Sequence, residues 1–152
     1  MSEHENLKLD NQLCFALYSA THSLTRAYRS ALDRSGITYT QYLVMLVLWE
    51  NNKISVGKIA KRLELDSATL TPMLKRLETA GLIKRERILD DERIVEVSLT
   101  EAGNLLQDEI AQIQQCVASK TGLSIKEFKQ LKDALHRLVA TISGDKNKHS
   151  SD

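Results

Sequence analysis

The apolar positions of this chain recur at two different intervals, and the change of interval maps its elements. From Asp10 to Leu32, the residues Leu13, Leu17, Ala20, Leu24, Ala27 and Ala31 step by threes and fours, with Ala16, Tyr18 and Tyr28 widening the stripe. This is the period of an amphipathic helix. Asp10 is placed to cap its start, and Ser35-Gly36 to end it with a left-handed residue. Thr38 and Gln41 have capping-box spacing and open a second helix. Its body, Tyr42 to Trp49, is apolar on nearly every side, so it is the expected buried central helix, ending at Asn51-Asn52. Ser55 caps a short third helix with Val56, Ile59, Ala60 and Leu63 on one face. The joint Glu64-Leu65-Asp66 leads to a fourth helix with Leu70, Leu74 and Leu77 inward and Gly81 at its end. Two short helices with one apolar face each and a tight joint form a helix-turn-helix pattern, although the joint lacks the glycine often found there.

The interval then falls to two. Ile83 to Ile88 and Arg93 to Leu99 are β-compatible, the second alternating as Val95, Val97 and Leu99, and Leu89-Asp90-Asp91-Glu92 between them is a turn. A charged two-stranded hairpin is expected, which must lean on neighbouring helices because a lone hairpin is marginal in water. Thr100 caps a fifth helix with the stripe Leu105, Leu106, Ile110, Ile113, Cys116 and Val117, stopped by Gly122. Ser124 and Glu127 form a second capping box, and Phe128, Leu131, Leu135, Leu138, Val139 and Ile142 mark a sixth helix. The expected architecture is mainly α with a small β-hairpin wing, in a single domain over 1–152. A winged helix-turn-helix region at 37–99 is flanked by dimerisation helices at 10–35 and 100–143, and 144–152 is a polar flexible tail.

Composition narrows the class. The 152 residues suffice for one domain with a real core, and 42% hydrophobic with 27% charged side chains excludes a disordered chain. Six Gly, one Pro and 5% aromatics argue against a turn-rich sandwich. The longest apolar run is too short to span a bilayer, and the polar opening from Met1 to Asp10 is unlike a secretory leader, so a cytoplasmic protein without membrane contact is expected. Two distant Cys make no disulfide framework, no C-x-x-C pair exists, and His4, His22, His136 and His149 are scattered. No metal or other cofactor is expected.

Total charge is uninformative: 21 basic and 20 acidic side chains leave +1. Distribution says more. Between Lys75 and Arg87 lie Lys75, Arg76, Lys84, Arg85 and Arg87 against Glu78 and Glu86, a cluster that a solvated face explains as well as a ligand does. The order of elements suits duplex DNA, whose major groove admits one helix with its N-terminal residues toward base edges. Here that end carries Ser67, Ala68, Thr69 and Thr71, small enough for close backbone approach, with Lys75 and Arg76 suited to phosphates. Pro72 deprives the carbonyl of Ala68 of its helical bond. In the hairpin, Arg93 suits the minor groove, with Asp91 placed to hold its guanidinium. Singly, each is accounted for as a helix-start or surface residue; together they occupy one candidate DNA face. One domain supplies one recognition helix, so a homodimer placing two such helices ~34–36 Å apart is expected, against a monomer whose terminal helices pack on their own domain.

Four strings carry a resemblance: Leu9-Asp-Asn-Gln-Leu-Cys-Phe-Ala-Leu-Tyr18, Ile37-Thr-Tyr-Thr-Gln-Tyr-Leu43, Leu65-Asp-Ser-Ala-Thr-Leu-Thr-Pro-Met-Leu-Lys-Arg76 and Asp90-Asp-Glu-Arg93. With these the chain resembles the MarR family of winged-helix regulators, and more narrowly its organic-hydroperoxide-sensing (OhrR-like) branch, from about Leu9 to Ile142. The Asp-Glu-Arg wing is general to the family; the Gln-Leu-Cys-Phe segment selects the branch. The resemblance implies a homodimeric repressor that releases double-stranded operator DNA when an N-terminal cysteine is oxidised by an organic hydroperoxide. That cysteine maps to Cys14, and two tyrosines of the partner subunit that bond its thiolate map to Tyr28 and Tyr39. Fourteen residues of one helix span roughly 21 Å, so Tyr28 cannot reach Cys14 of its own straight helix. A reactive cysteine needs thiolate character, which a helix N-terminus and phenol donors supply, and peroxide converts it to a sulfenic acid. Leu13, Phe15 and Leu17 offer apolar room for an alkyl chain. Cys116 lies where some members keep a second, resolving cysteine; it also fits the apolar stripe of its helix. Cys14 and the four tyrosines likewise fit plain packing roles.

Three functions compete on this sequence. The first is a thiol-switch repressor, of peroxide-detoxification genes or of wider oxidative-stress and virulence programmes. The second is the same fold answering a small aromatic ligand. The third is a thiol peroxidase, for which the chain offers no supporting catalytic constellation.

Overall fold

The apolar stripes fold as expected into helices, and residues of the first five share one core. The computed structural model describes residues 4–146. Among them are α1 (Leu13–Leu32), α2 (Tyr39–Glu50), α3 (Val56–Leu63), α4 (Ser67–Thr79), α5 (Glu101–Lys120) and α6 (Ile125–Lys146), with β1 (Ile54–Ser55), β2 (Ile83–Ile88) and β3 (Asp91–Leu99). The chain divides into two compact units, Met1–Val117 and Ala118–Asp152.

In the first unit α2 is the central helix. Val44, Met45 and Leu48 are fully buried, as are Leu32, Ile59, Leu70 and Val97, with Leu74, Leu77, Ile83 and Ile110 nearly so. The core therefore joins the helix-turn-helix pair, the sheet and the first half of α5. α2 starts in the expected reciprocal cap: Gln41 N–H donates to Thr38 Oγ1 at 3.3 Å, and Thr38 N–H donates to Gln41 Oε1 at 2.9 Å. Thr100 caps α5 through the Gly103 amide at 3.1 Å. Gly36, at φ 72°, ends the α1 region as its sequence position requires.

Five expectations need correction. Asp10 does not cap α1; it lies in a 3-10 turn (Leu9–Asn11), and Gln12 precedes α1 without a side-chain cap. The sheet has three strands in the order β1-β3-β2, since Ile54 pairs with Val97 and Ser55 with Glu96; a two-residue strand is too short to leave a period in the sequence. β3 begins at Asp91, so the hairpin turn is only Leu89-Asp90. In α5, Ile110 and Val117 are buried but Leu105 and Cys116 are exposed. Finally, α6 continues to Lys146, so 144–146 are helical rather than tail; 147–152 lie outside the described residues.

The joint between α3 and α4 explains its missing glycine. Glu64 itself takes the left-handed conformation (φ 55°, ψ 38°), and the Leu65 amide closes back on the Ala60 carbonyl at 2.9 Å. A non-glycine residue there costs roughly 1–2 kcal/mol. Leu63 and Leu65 on either side of it are partly buried. In the second unit, α6 opens with the expected box: Glu127 N–H donates to Ser124 Oγ at 3.3 Å and Ser124 N–H to Glu127 Oε2 at 2.8 Å.

Candidate nucleic-acid interface and thiol site

α4 has two faces set by its period. Leu70, Leu74 and Leu77 point into the core, which leaves Ser67, Ala68, Thr69, Thr71, Lys75 and Arg76 exposed on the other side. Asp66 caps the helix by accepting from the Thr69 amide at 2.6 Å, and these Thr69 donors hold its carboxyl below the usual range. Thr71 Oγ1 donates to the Ser67 carbonyl at 2.7 Å, which leaves its lone pairs available as an acceptor. The helix runs unbroken through Pro72.

The wing stands beside this face. Asp91 Oδ1 accepts from the backbone amide of Arg93 at 3.1 Å, not from its guanidinium as expected, so the carboxylate shapes the strand and leaves the side chain to reach outward. Arg87 Nη1 donates to the Glu92 carbonyl at 3.1 Å and braces the tip. Ser67 and Thr71 of α4 share a cavity of about 450 Å³ with Arg85 and Arg93 of the wing. The five-residue basic cluster is not uniform: Arg85 is bound to Glu78, Nη2 to Oε1 at 3.0 Å, which lowers the Glu78 carboxyl below its usual range. Sequence reasoning missed this pair. The only trace was an acid inside a basic run, one turn before the strand.

Cys14 lies in the first turn of α1 and Cys116 on α5; neither is in a disulfide, and both are exposed. Tyr28 and Tyr39 are brought together, ring centroids 5.3 Å apart, and Tyr42 joins them at 5.3 Å and 5.8 Å. Tyr42 was read only as core; it is buried, and it completes a phenol triangle. Burial, with the neighbouring Tyr28 phenol second, raises the pKa of Tyr39 and of Tyr42. Beside Tyr39 a cavity of about 540 Å³ opens between α1 and the start of α2. Cys14 and Tyr28 stand at opposite parts of the continuous helix α1, roughly 21 Å apart along its axis. The thiol and the tyrosine pair are therefore separate within one chain. Leu13 and Phe15 flank Cys14 and are exposed, and Leu17 is half-buried. Among the described residues no cluster of His, Cys, Asp or Glu could hold a metal, and no helix is long and apolar enough to cross a membrane.

A family model described as the transcriptional regulator SarA/Rot matches residues 26–110. The chain is 45% identical over 141 residues to the organic hydroperoxide resistance transcriptional regulator of Bacillus subtilis (strain 168), covering 93% of this chain and 96% of the relative. Reduced AbfR bound to DNA superposes with a TM-score of 0.80 at 38% identity, covering 95% of this chain and 98% of that one. AbfR is a protein of Staphylococcus epidermidis. Its disulfide-formed structure gives a TM-score of 0.65 at 38% identity, covering 93% and 94%. Apo MarR of E. coli gives 0.68 at 25% identity, covering 84% and 96%.

Proposed function

The chain belongs to the MarR and SarA/Rot family of winged-helix transcriptional regulators, and we propose that it is a homodimeric repressor switched by oxidation of Cys14. It is a DNA-binding transcription regulator and not an enzyme. In the proposed complex the outer face of α4 enters the major groove: Ser67, Ala68, Thr69 and Thr71 meet base edges, and Lys75 and Arg76 meet phosphates. Arg93 reaches the minor groove from a strand shaped by Asp91. Such a reader of chromosomal operators works in the cytoplasm.

The observation that carries the switch is the separation of Cys14 from the Tyr28–Tyr39 pair along α1. A second copy running the other way brings the thiol of one chain to the phenols of the other. Solvent-facing apolar side chains support such a second copy: Leu13 and Tyr18 of α1 are 61% and 63% exposed, and Ile142 of α6 is 57% exposed. Burying apolar surface contributes about 25 cal/mol per Å², so faces of this kind favour association.

The chemistry balances simply. The Cys14 thiolate attacks one oxygen of an organic hydroperoxide, the O–O bond breaks, and the alkoxide leaves as an alcohol after taking a proton. Cys14 is then a sulfenic acid. The thiolate of Cys116 from the partner subunit attacks that sulfur, an S–S bond forms, and hydroxide leaves as water. Loss of the thiolate removes the acceptor that the phenols hold, and the dimer shifts to an arrangement in which the two α4 helices no longer match the groove spacing. The resemblance to a hydroperoxide resistance regulator supports the inducer class, and the solved disulfide form of AbfR supports the second step.

Gel-shift measurements test the reading. Duplex from the promoter of its own gene is bound, cumene hydroperoxide is added, then dithiothreitol. Wild type releases and rebinds, whereas Cys14→Ser stays bound throughout. Equal release by both proteins overturns the thiol switch and leaves a regulator that answers a different ligand.

A further inference from the structure

β2 is an edge strand, because the sheet order β1-β3-β2 leaves one side of it without a strand partner. Free edge amides are normally met by water or by another element. The Arg85 amide is met by the recognition helix: it donates to Glu78 Oε2 at 3.0 Å. The guanidinium of the same residue donates from Nη2 to Glu78 Oε1, also at 3.0 Å. Both oxygens of one carboxylate on α4 thus grip one residue of the wing, through its backbone and its side chain. Arg85 Nε is buried and has no partner, so the guanidinium is fixed by this grip rather than by a wider network. The same side chain lines the cavity shared with Ser67, Thr71 and Arg93.

A partly exposed ion pair contributes little to stability. Its two-point geometry is a better account of its use, since paired bonds to one carboxylate fix direction as well as distance. Between α4 and β2 the backbone link is only a short turn at Ala80–Leu82. We infer that the Glu78–Arg85 pair is a positioning clasp that sets the wing at a fixed distance and angle to α4, so that Arg93 adds to operator affinity only while the clasp is closed. The inference rests on the DNA face proposed above. Glu78 and Arg85 act through Arg93 and do not themselves touch DNA.

A double-mutant cycle tests it, with binding of the full-length protein measured on the duplex from its own promoter. In the wild-type background Arg93→Ala is expected to weaken binding about tenfold or more. In the Glu78→Gln background the same change is expected to weaken it less than about twofold, because the wing is already out of place. Thr71→Ala, which reports on α4 alone, should cost the same factor in both backgrounds. Arg85→Met, which keeps the backbone bond but removes the guanidinium point of the grip, should reproduce the effect of Glu78→Gln and serves where that variant does not fold. Equal costs of Arg93→Ala with and without the clasp overturn the clasp and leave the DNA face standing. If Arg93→Ala and Thr71→Ala are both silent in wild type, the DNA face and the clasp fall together.

Discussion

The indole Nε1–H of Trp49 donates to the carbonyl oxygen of Gly103 at 3.0 Å, tying the end of α2 to the first turn of α5. The close approach has a second cause at the same residue. A Cβ built on Gly103 would lie 2.1 Å from the Leu82 carbonyl oxygen, a backbone atom held by the Thr100 amide at 3.1 Å.

Gly103→Ala is therefore expected to destabilise the fold by roughly 1–3 kcal/mol, although alanine is the better helix former by about 1 kcal/mol. Overpacking against backbone wins over propensity. Denaturant unfolding followed by Trp49 fluorescence checks this, and an unchanged or raised midpoint refutes it.

Alkaline pH should loosen the tyrosine triangle. Burial holds the phenols of Tyr39 and Tyr42 above their ordinary value, so the folded state keeps these protons more tightly than the unfolded state. The contribution to stability is complete below the unfolded phenol pKa of about 10 and is lost as pH rises beyond it. Tyrosinate absorbance and helical circular dichroism should change together above that pH, and Tyr42→Phe should move the transition upward. A complete tyrosinate titration with the helix signal intact would falsify this.

Cys116 is open to solvent, as a resolving thiol must be. On a non-reducing gel, wild type treated with hydroperoxide should run as a covalent dimer, and Cys116→Ser as a monomer. A dimer band that persists in Cys116→Ser assigns the bridge to other sulfurs.

Lys75 and Arg76 should reveal themselves through salt. Each phosphate contact adds about 0.9 to the slope of log affinity against log salt. Lys75→Ala and Arg76→Ala should each flatten the slope by about that amount, while Lys120→Ala on α5 should not. Identical slopes in all three variants would remove the two residues from the interface.

The helices were legible in the sequence through their caps or their apolar patterning. Thr38 with Gln41, Ser55, Thr100, and Ser124 with Glu127 all take the roles that their spacing predicts. Asp10 failed as a cap because the polar side chains around it close two tight turns first, as where Asn11 Nδ2 donates to the Glu5 carbonyl at 2.8 Å. β1 was invisible since a pair of residues carries no alternation. At the site, the exposed face of α4 followed from the buried leucines alone, whereas the clasp and the third tyrosine depend on contacts across elements. Neither Glu78 with Arg85 nor Tyr28 with Tyr42 shares a helix period, so no pattern along the chain could join them.

The reciprocal cap at Thr38 and Gln41 bears on where motion can arise. Tyr39 and Tyr42 ride on the first turn of a helix pinned at its start and enclosed along its length. The chain ahead of Cys14 has the opposite character: two brief turns with nothing buried, feeding a helix that begins uncapped. If the proposed switch operates, modification of the sulfur acts next to a segment that buries nothing, while the tyrosines stay on a capped and enclosed first turn.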